Sequence, residues 1–521
     1  MADSETGSKP TVFARESTGL VKNVSFLDSV ALNLSNMSVG PLLTTIAGSS
    51  VATMVLVNVA GLNLILASVI AFVLSIPQMV VYTMMSRRFP RTGGDYVWIS
   101  RTFGGFWGST LSFWGYTMET LAFIALVVLL VDYSIGGVGL TMGMSSWGAL
   151  FTDGNSQFIV GSIIFAIMIA LNIVKPKAGF RVVTILTIFG IFTLLLSMGV
   201  LLSAGASGVQ SYINSLSQIP GLNLPTYSQV LASYTPSGLP GDISLPNIVY
   251  IMPVIFAFVY PWLNAAPAVA SEIKGSSALK WNVPVSAVTG FVLLTSTFAV
   301  MYGVSGMPFI NALFHNQAYA GFGMNFFSLA MGVANNNVVA WIIGLGWIAM
   351  QLGVIAYAVI IFSRYVLAQA MDRFLPSRLA YVSPRLGSPI IAHLFDLVVT
   401  VGLVAMTAYF YSSISGIFGA IVAGMSYFVF IGLAAATHAI RKESGSAKAV
   451  LATAGILNAV VFAFIVYQFL ANPSFTGLNN VTYVYVVATF VAGALIYQTS
   501  RWYHKKRGMD ISLNYKELPP E

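Results

Sequence analysis

The sequence predicts an all-α polytopic membrane protein of twelve transmembrane helices, ten in a five-plus-five inverted repeat and two after it. Three observations carry this. The 24 Lys and Arg residues form seven clusters separated by six gaps, at 23–86, 102–174, 182–273, 281–363, 386–440 and 449–500. Each gap has room for two apolar spans of about 20 residues and a turn. Two crossings per gap return the chain to the side it left, so all seven clusters lie on one face, the positive-inside pattern. Second, 57% of the residues are hydrophobic and only 8% charged, with a mean hydropathy of +0.83, against about one quarter charged in soluble domains. Third, two of the spans are interrupted at corresponding depths.

The elements follow gap by gap. The first gap holds spans at about 27–50 and 60–85, the second at about 105–134 and 157–174, the third at about 180–204 and 247–271. The fourth gives about 283–305 and 338–371, the fifth about 389–411 and 413–439, the sixth about 449–471 and 480–502. Continuous apolar runs of this length exclude the short alternating strands of a membrane barrel. Ser25 and Asp28 read as the N-terminal cap of the first helix. The polar residues 1–24 read as a cytoplasmic tail and not a signal peptide. Residues 205–246, rich in Gly, Ser and Pro with Asp242 as their one charge, read as an extracellular loop, and 504–521 as a second cytoplasmic tail.

The interruptions are Ser35 to Pro41 in the first span and Tyr260 to Pro267 in the sixth. Proline lacks a backbone donor and clashes with the preceding turn, so both spans should break near mid-membrane. Five spans separate the breaks, and an odd unit inverts its second copy. Residues 25–204 and 247–440 are then the two repeats, with 441–503 the added helix pair. Paired breaks point to an alternating-access transporter whose site lies between them. At a half-helix N-terminus, free N–H groups suit a carboxylate, and Asn36, Ser38, Val39 and Gly40 would frame that end. Free carbonyls at the facing C-terminus suit an ammonium, from Ala257, Phe258 and Tyr260. Trp262 and Asn264 complete the segment. A zwitterion satisfies both ends, which favours amino acids over sugars or lipids.

Glu119 stands near the centre of the third span, where a charge is costly, and is the candidate proton carrier. Its alternative is a protonated carboxyl bonded to a neighbouring helix. Tyr116 and Gln351 are candidates for lining the path. Asp396, two turns into the ninth span, reads as structural, paired with His393 or a basic neighbour. The net charge of +8 marks topology, so nucleic acid is not an expected partner. The partners are the lipid bilayer, a small-molecule substrate and the proton. With no cysteine, disulfides, thiolate metal sites and cysteine nucleophiles are excluded. Glycine-rich stretches lack a phosphate-loop context, no metal-ligand cluster or nucleophile triad is visible, and neither cofactor nor enzymatic activity is expected.

Two basic-face segments carry a family resemblance. Residues 88–104, with Pro90, Gly93, Gly94 and Tyr96, resemble the Pro-x-x-Gly-Gly-x-Tyr motif of amino acid–polyamine–organocation (APC) permeases. Ser363 to Pro376 and Val382 to Pro389 look like that family's Ser-Arg…Pro signature, and Glu272 to Pro284 like the segment after its sixth helix. The resemblance covers about residues 20–503 and implies a LeuT-like fold. It also implies secondary transport of amino acids or amines across the cytoplasmic membrane, with the substrate carboxylate at the first break and the amino group at the sixth. Ser35-Asn36-Met37-Ser38 replaces the family's Gly-Ser-Gly. The lysine some proton-coupled relatives carry in the fifth helix is absent near Thr193 and Leu194, and the eighth helix lacks the hydroxyl pair of a sodium site. Proton symport is the leading expectation. Exchange, transport of polyamines, other organic amines or nucleobases, a non-transporting sensor and a channel are the alternatives.

Overall fold

The structure is a computed structural model that describes residues 19–46, 60–150, 153–411, 418–473 and 476–518. Among these residues it is helical, with two isolated β-bridges, Val24 to Ile273 and Thr92 to Val269. The first span is two pieces, α1 (Phe26–Asn36) and α2 (Val39–Thr45); its expected end at 47–50 lies outside the described residues. Then come α3 (Leu64–Arg88), the short α4 (Asp95–Phe103), α5 (Gly105–Thr141), α6 (Gly154–Val174) and α7 (Pro176–Ser217). The sixth span is α8 (Leu245–Phe258) followed by the single turn α9 (Ala265–Ala268). The remainder are α10 (Ser276–Ser305), α11 (Asn337–Met371), α12 (Ile390–Met406), α13 (Ile421–Lys442), α14 (Gly445–Ala471) and α15 (Asn480–Lys505). Eleven described helices are long and apolar enough to cross a membrane, and the α1–α2 pair supplies the twelfth span.

Most of α5 and α11 is buried, whereas α6 and α15 turn most of their length outward. The two helices are therefore central in the bundle, and the peripheral ones present their apolar faces outward. Glycines set the closest approaches. A Cβ on Gly346 of α11 would lie 1.9 Å from Thr193 Oγ1 of α7, and one on Gly432 of α13 only 2.5 Å from the Gly455 carbonyl of α14.

Connecting segments sort to two ends. At one end the Val24 N–H donates to the Glu272 carbonyl (2.9 Å), Arg88 pairs with Glu443, Arg101 with Asp372 and Arg364 with Glu272. At the other, the Ser244 N–H donates to Gly61 O (2.8 Å), Asn311 to Leu62 O (2.7 Å) and the Tyr319 hydroxyl to Pro225 O (2.7 Å). The basic clusters share the first end, as their spacing predicts.

Two expected segments differ. Residues 205–217, expected in a loop, are helical beyond Gly205, whose non-helical φ of 62° and ψ of −172° kink α7 and set 206–217 apart from its membrane-spanning part. Val209, Ile213 and Leu216 are buried there: polarity of composition hid a one-sided apolar face. The expected C-terminal tail also folds, with Ile511–Tyr515 forming a 3₁₀ turn on the basic end. Tyr515 is buried, its hydroxyl is 2.9 Å from Ser109 Oγ, and Arg101 donates to the Asn514 and Glu517 carbonyls.

Candidate functional site

Helix α1 starts on the expected cap: Ser25 Oγ accepts the Asp28 N–H and Asp28 accepts the Ser25 N–H. It stops at Asn36 because Ser38 takes a left-handed conformation, φ 44°, rarely adopted by residues other than glycine, asparagine and aspartate. The Ser38 hydroxyl turns back to the Asn36 carbonyl (3.0 Å) and does not cap α2. Pro41 falls in the first turn of α2, where its missing N–H costs nothing. In the sixth span α8 ends at Phe258, and Val259 to Asn264 run outside any helix before α9. Gln78 of α3 donates to the Pro261 carbonyl (2.9 Å).

The two breaks touch. Asn36 Nδ2 donates to Asn264 Oδ1 at 2.8 Å, and one turn earlier Asn33 Oδ1 accepts the Ala266 N–H at 2.9 Å. All three asparagines are buried. Among the described residues, Asn33 Nδ2, Gln78 Oε1, Asn264 Nδ2 and both Glu119 carboxyl oxygens lack a hydrogen-bond partner. A buried polar atom left so costs about 1–3 kcal/mol. The region thus presents unmatched donors and acceptors together, the complement a small zwitterion needs.

Glu119 follows a widened π turn, Phe113–Met118, of the kind often found at functional positions. A Cβ on Gly424 of α13 would lie 3.2 Å from the Glu119 carboxyl carbon and 3.3 Å from the Trp262 ring, so the carboxyl adjoins the sixth-span break. Trp262 stacks on Phe123 at 5.8 Å, and Phe258 on Phe418 at 5.6 Å. Tyr116 stacks on Tyr365 of α11 at 3.8 Å.

Several expected roles change. The Tyr260 ring leaves the break: its hydroxyl is 2.7 Å from Ser68 Oγ and its ring edge meets Phe72, so it packs among α3 and α10. The Ala257 carbonyl is engaged by Trp262 Nε1 (2.8 Å) and is not free. Gly40 faces α11, where an added Cβ would be 2.6 Å from Met350 Cβ, and with Ser38, Val39 and Pro41 it lines a cavity between α2, α7 and α11. Val39 is buried beside it. Gln351 donates to Thr44 Oγ1 (2.9 Å), tying α11 to α2 away from the contact between the breaks. Asp396 accepts from Thr400, and neither nitrogen of buried His393 has a partner among the described residues, so the expected pairing of the two is not made. Sequence reasoning missed Asn33, Gln78 and Asp95. The spacing of Asn33 and Asn36, three apart on one helix face, was the available signal.

Two spans broken where they meet, with buried polar groups gathered at the contact, define a multi-pass membrane transporter. The chain belongs to the amino acid permease family, which it matches over residues 24–492. An uncharacterized transporter of Mycobacterium bovis is 24% identical over 313 residues, 55% of this chain and 64% of that protein; one of Mycobacterium tuberculosis gives the same figures. Uncharacterized protein 399 of Sulfolobus islandicus rod-shaped virus 1 is 33% identical over 89 residues, 17% of this chain and 21% of that protein. The chain thus matches less than two thirds of the length of these curated relatives.

Proposed function

We propose that the protein carries amino acids across the cytoplasmic membrane by alternating access, drawing on the proton gradient. One observation carries the reading: the Asn36–Asn264 bond joins the two breaks within a set of buried polar atoms lacking partners. The substrate carboxylate lies toward the start of α2 and its ammonium toward the last carbonyls of α8, with the Asn33 and Asn264 amides between. Residues 25–204 and 247–440 act as inverted repeats that rock about this contact, and both termini face the cytoplasm with the basic clusters.

Glu119 carries the proton. Among the described residues it is the one carboxyl set against the sixth-span break without a hydrogen-bond partner, and its charge would be offset there by neither a cation nor a donor. The test is uptake of a labelled amino-acid panel into proteoliposomes with and without an inward proton gradient. Gradient-driven accumulation of one subset is expected; uptake only with internal substrate would replace symport by exchange. Glu119→Gln should keep exchange and lose accumulation driven by pH. Unaltered pH dependence would remove Glu119 from that role.

A further inference from the structure

Toward the basic end from the two breaks, one buried carboxylate gathers three phenols. Asp95, 1% exposed, opens α4. Its Oδ2 accepts the Tyr82 hydroxyl of α3 at 2.6 Å. Its Oδ1 accepts Tyr365 of α11 at 2.5 Å and Tyr427 of α13 at 2.8 Å. The Asn264 Nδ2, without a partner within bond length among the described residues, lies alongside. The two glycines before it hold Asp95 against the sixth span. Gly93 (φ +87°) donates its N–H to the Ala268 carbonyl at 2.9 Å, and a Cβ on Gly94 (φ +45°) would lie 3.0 Å from the Ala268 backbone.

The neighbours leave this charge to the phenols. Tyr116 of α5 stacks on Tyr365 and tilts against Tyr427. Arg101, on α4 itself, is bonded to Asp372, and Arg364 of α11 is bonded to Glu272. No cation pairs with Asp95 among the described residues. Donors to the charged form keep a carboxylate ionised, and three are supplied by three different spans. Drawing those spans apart removes the donors and leaves a buried charge uncompensated, a state far costlier than the protonated acid.

We propose that Asp95 is a proton-binding, positioning residue of the transport site: ionised, it holds Tyr82, Tyr365 and Tyr427 together and closes the site toward the basic face; protonated, it releases them. The proton adds to a carboxylate oxygen from solvent on that face, and each phenol keeps its own. The proposal rests on the transport reading above, but its first test needs no substrate. Ser112, buried and beside Tyr427, is changed to cysteine in a chain that otherwise has none. Labelling by a membrane-impermeant maleimide from the basic face is then followed against pH. Labelling should rise as pH falls, become fast and independent of pH in Asp95→Asn, and keep its pH dependence in Glu119→Gln. Tyr427→Phe, which preserves volume, should move the midpoint to higher pH, because losing a donor weakens the ionised form. Asp95→Asn with wild-type labelling at every pH, or an unmoved midpoint in all three single Tyr→Phe variants, would overturn the proposal. In transport, Asp95→Asn should lower the maximal rate several-fold and flatten its pH profile with little change in KM; an unchanged profile would also overturn it.

Discussion

Gly40 and Gly346 have no side chain because a neighbouring helix leaves no room for one: an added Cβ would meet Met350 of α11 at 2.6 Å in the first case and Thr193 of α7 at 1.9 Å in the second. Overpacking of this kind costs about 1–3 kcal/mol. Gly346→Val should therefore lower the melting temperature in detergent, measured by intrinsic fluorescence. Gly40→Leu should lose substrate binding and thermal stability together; lost binding with an unchanged melt would return Gly40 to the ligand. At this scale the sequence was partly legible. Asn36, Asn264, Trp262 and Glu119 stand where the breaks and the lone charge put them. Which way Tyr260 turns its ring was not, because distance from a proline says nothing of direction. Asn33 was legible only through its spacing from Asn36, and Gln78 was hidden because its uniformly apolar span has no polar face to give its orientation.

The elements were more legible, since hydropathy fixes where a span can sit. The end expected for the fifth span, about 204, meets the non-helical Gly205, and what polarity hid was the further helix beyond it. The loop that follows is held by Asp242, which accepts from the Tyr234 hydroxyl and from the Ser237 N–H at 2.6 Å each. The Tyr234 bond, first among its causes, holds the Asp242 carboxyl below its usual range. A lowered value means the anchoring is fully present above the ordinary carboxylate pKa of about 3.9 and is lost as pH falls through the lowered one. Cleavage of residues 234–244 by an acid protease should hence begin only below about pH 4. Tyr234→Phe should move that onset upward.

Across the whole molecule, the gathering of described Lys and Arg residues at one end was legible in their spacing, while the partner each cation takes was not. Arg88, closing α3, reaches Glu443 after α13 and holds that carboxyl below its usual range, chiefly by hydrogen bonding. The contribution is again present above the ordinary carboxylate pKa, about 4.3, and lost below the lowered one. Glu443→Gln should reduce the melting temperature at pH 7 and match wild type near pH 3. Single cysteines at Ser228 and Lys448 test the orientation: impermeant maleimide outside intact cells should label the first and spare the second.

The docked C-terminal turn has a consequence for how the protein is made. Arg101 and Ser109 precede their partners Asn514, Tyr515 and Glu517 by 406 to 416 residues, so they leave the ribosome long before them. The seam between α4 and α5 therefore stays open while α6 to α15 are made, and closes only once residues 511–517 have followed them. A chain ended before residue 511 would enter the bilayer complete in its spans and still carry the exposed Gly105 surface that Tyr515 covers, which quality-control proteases read as unfinished.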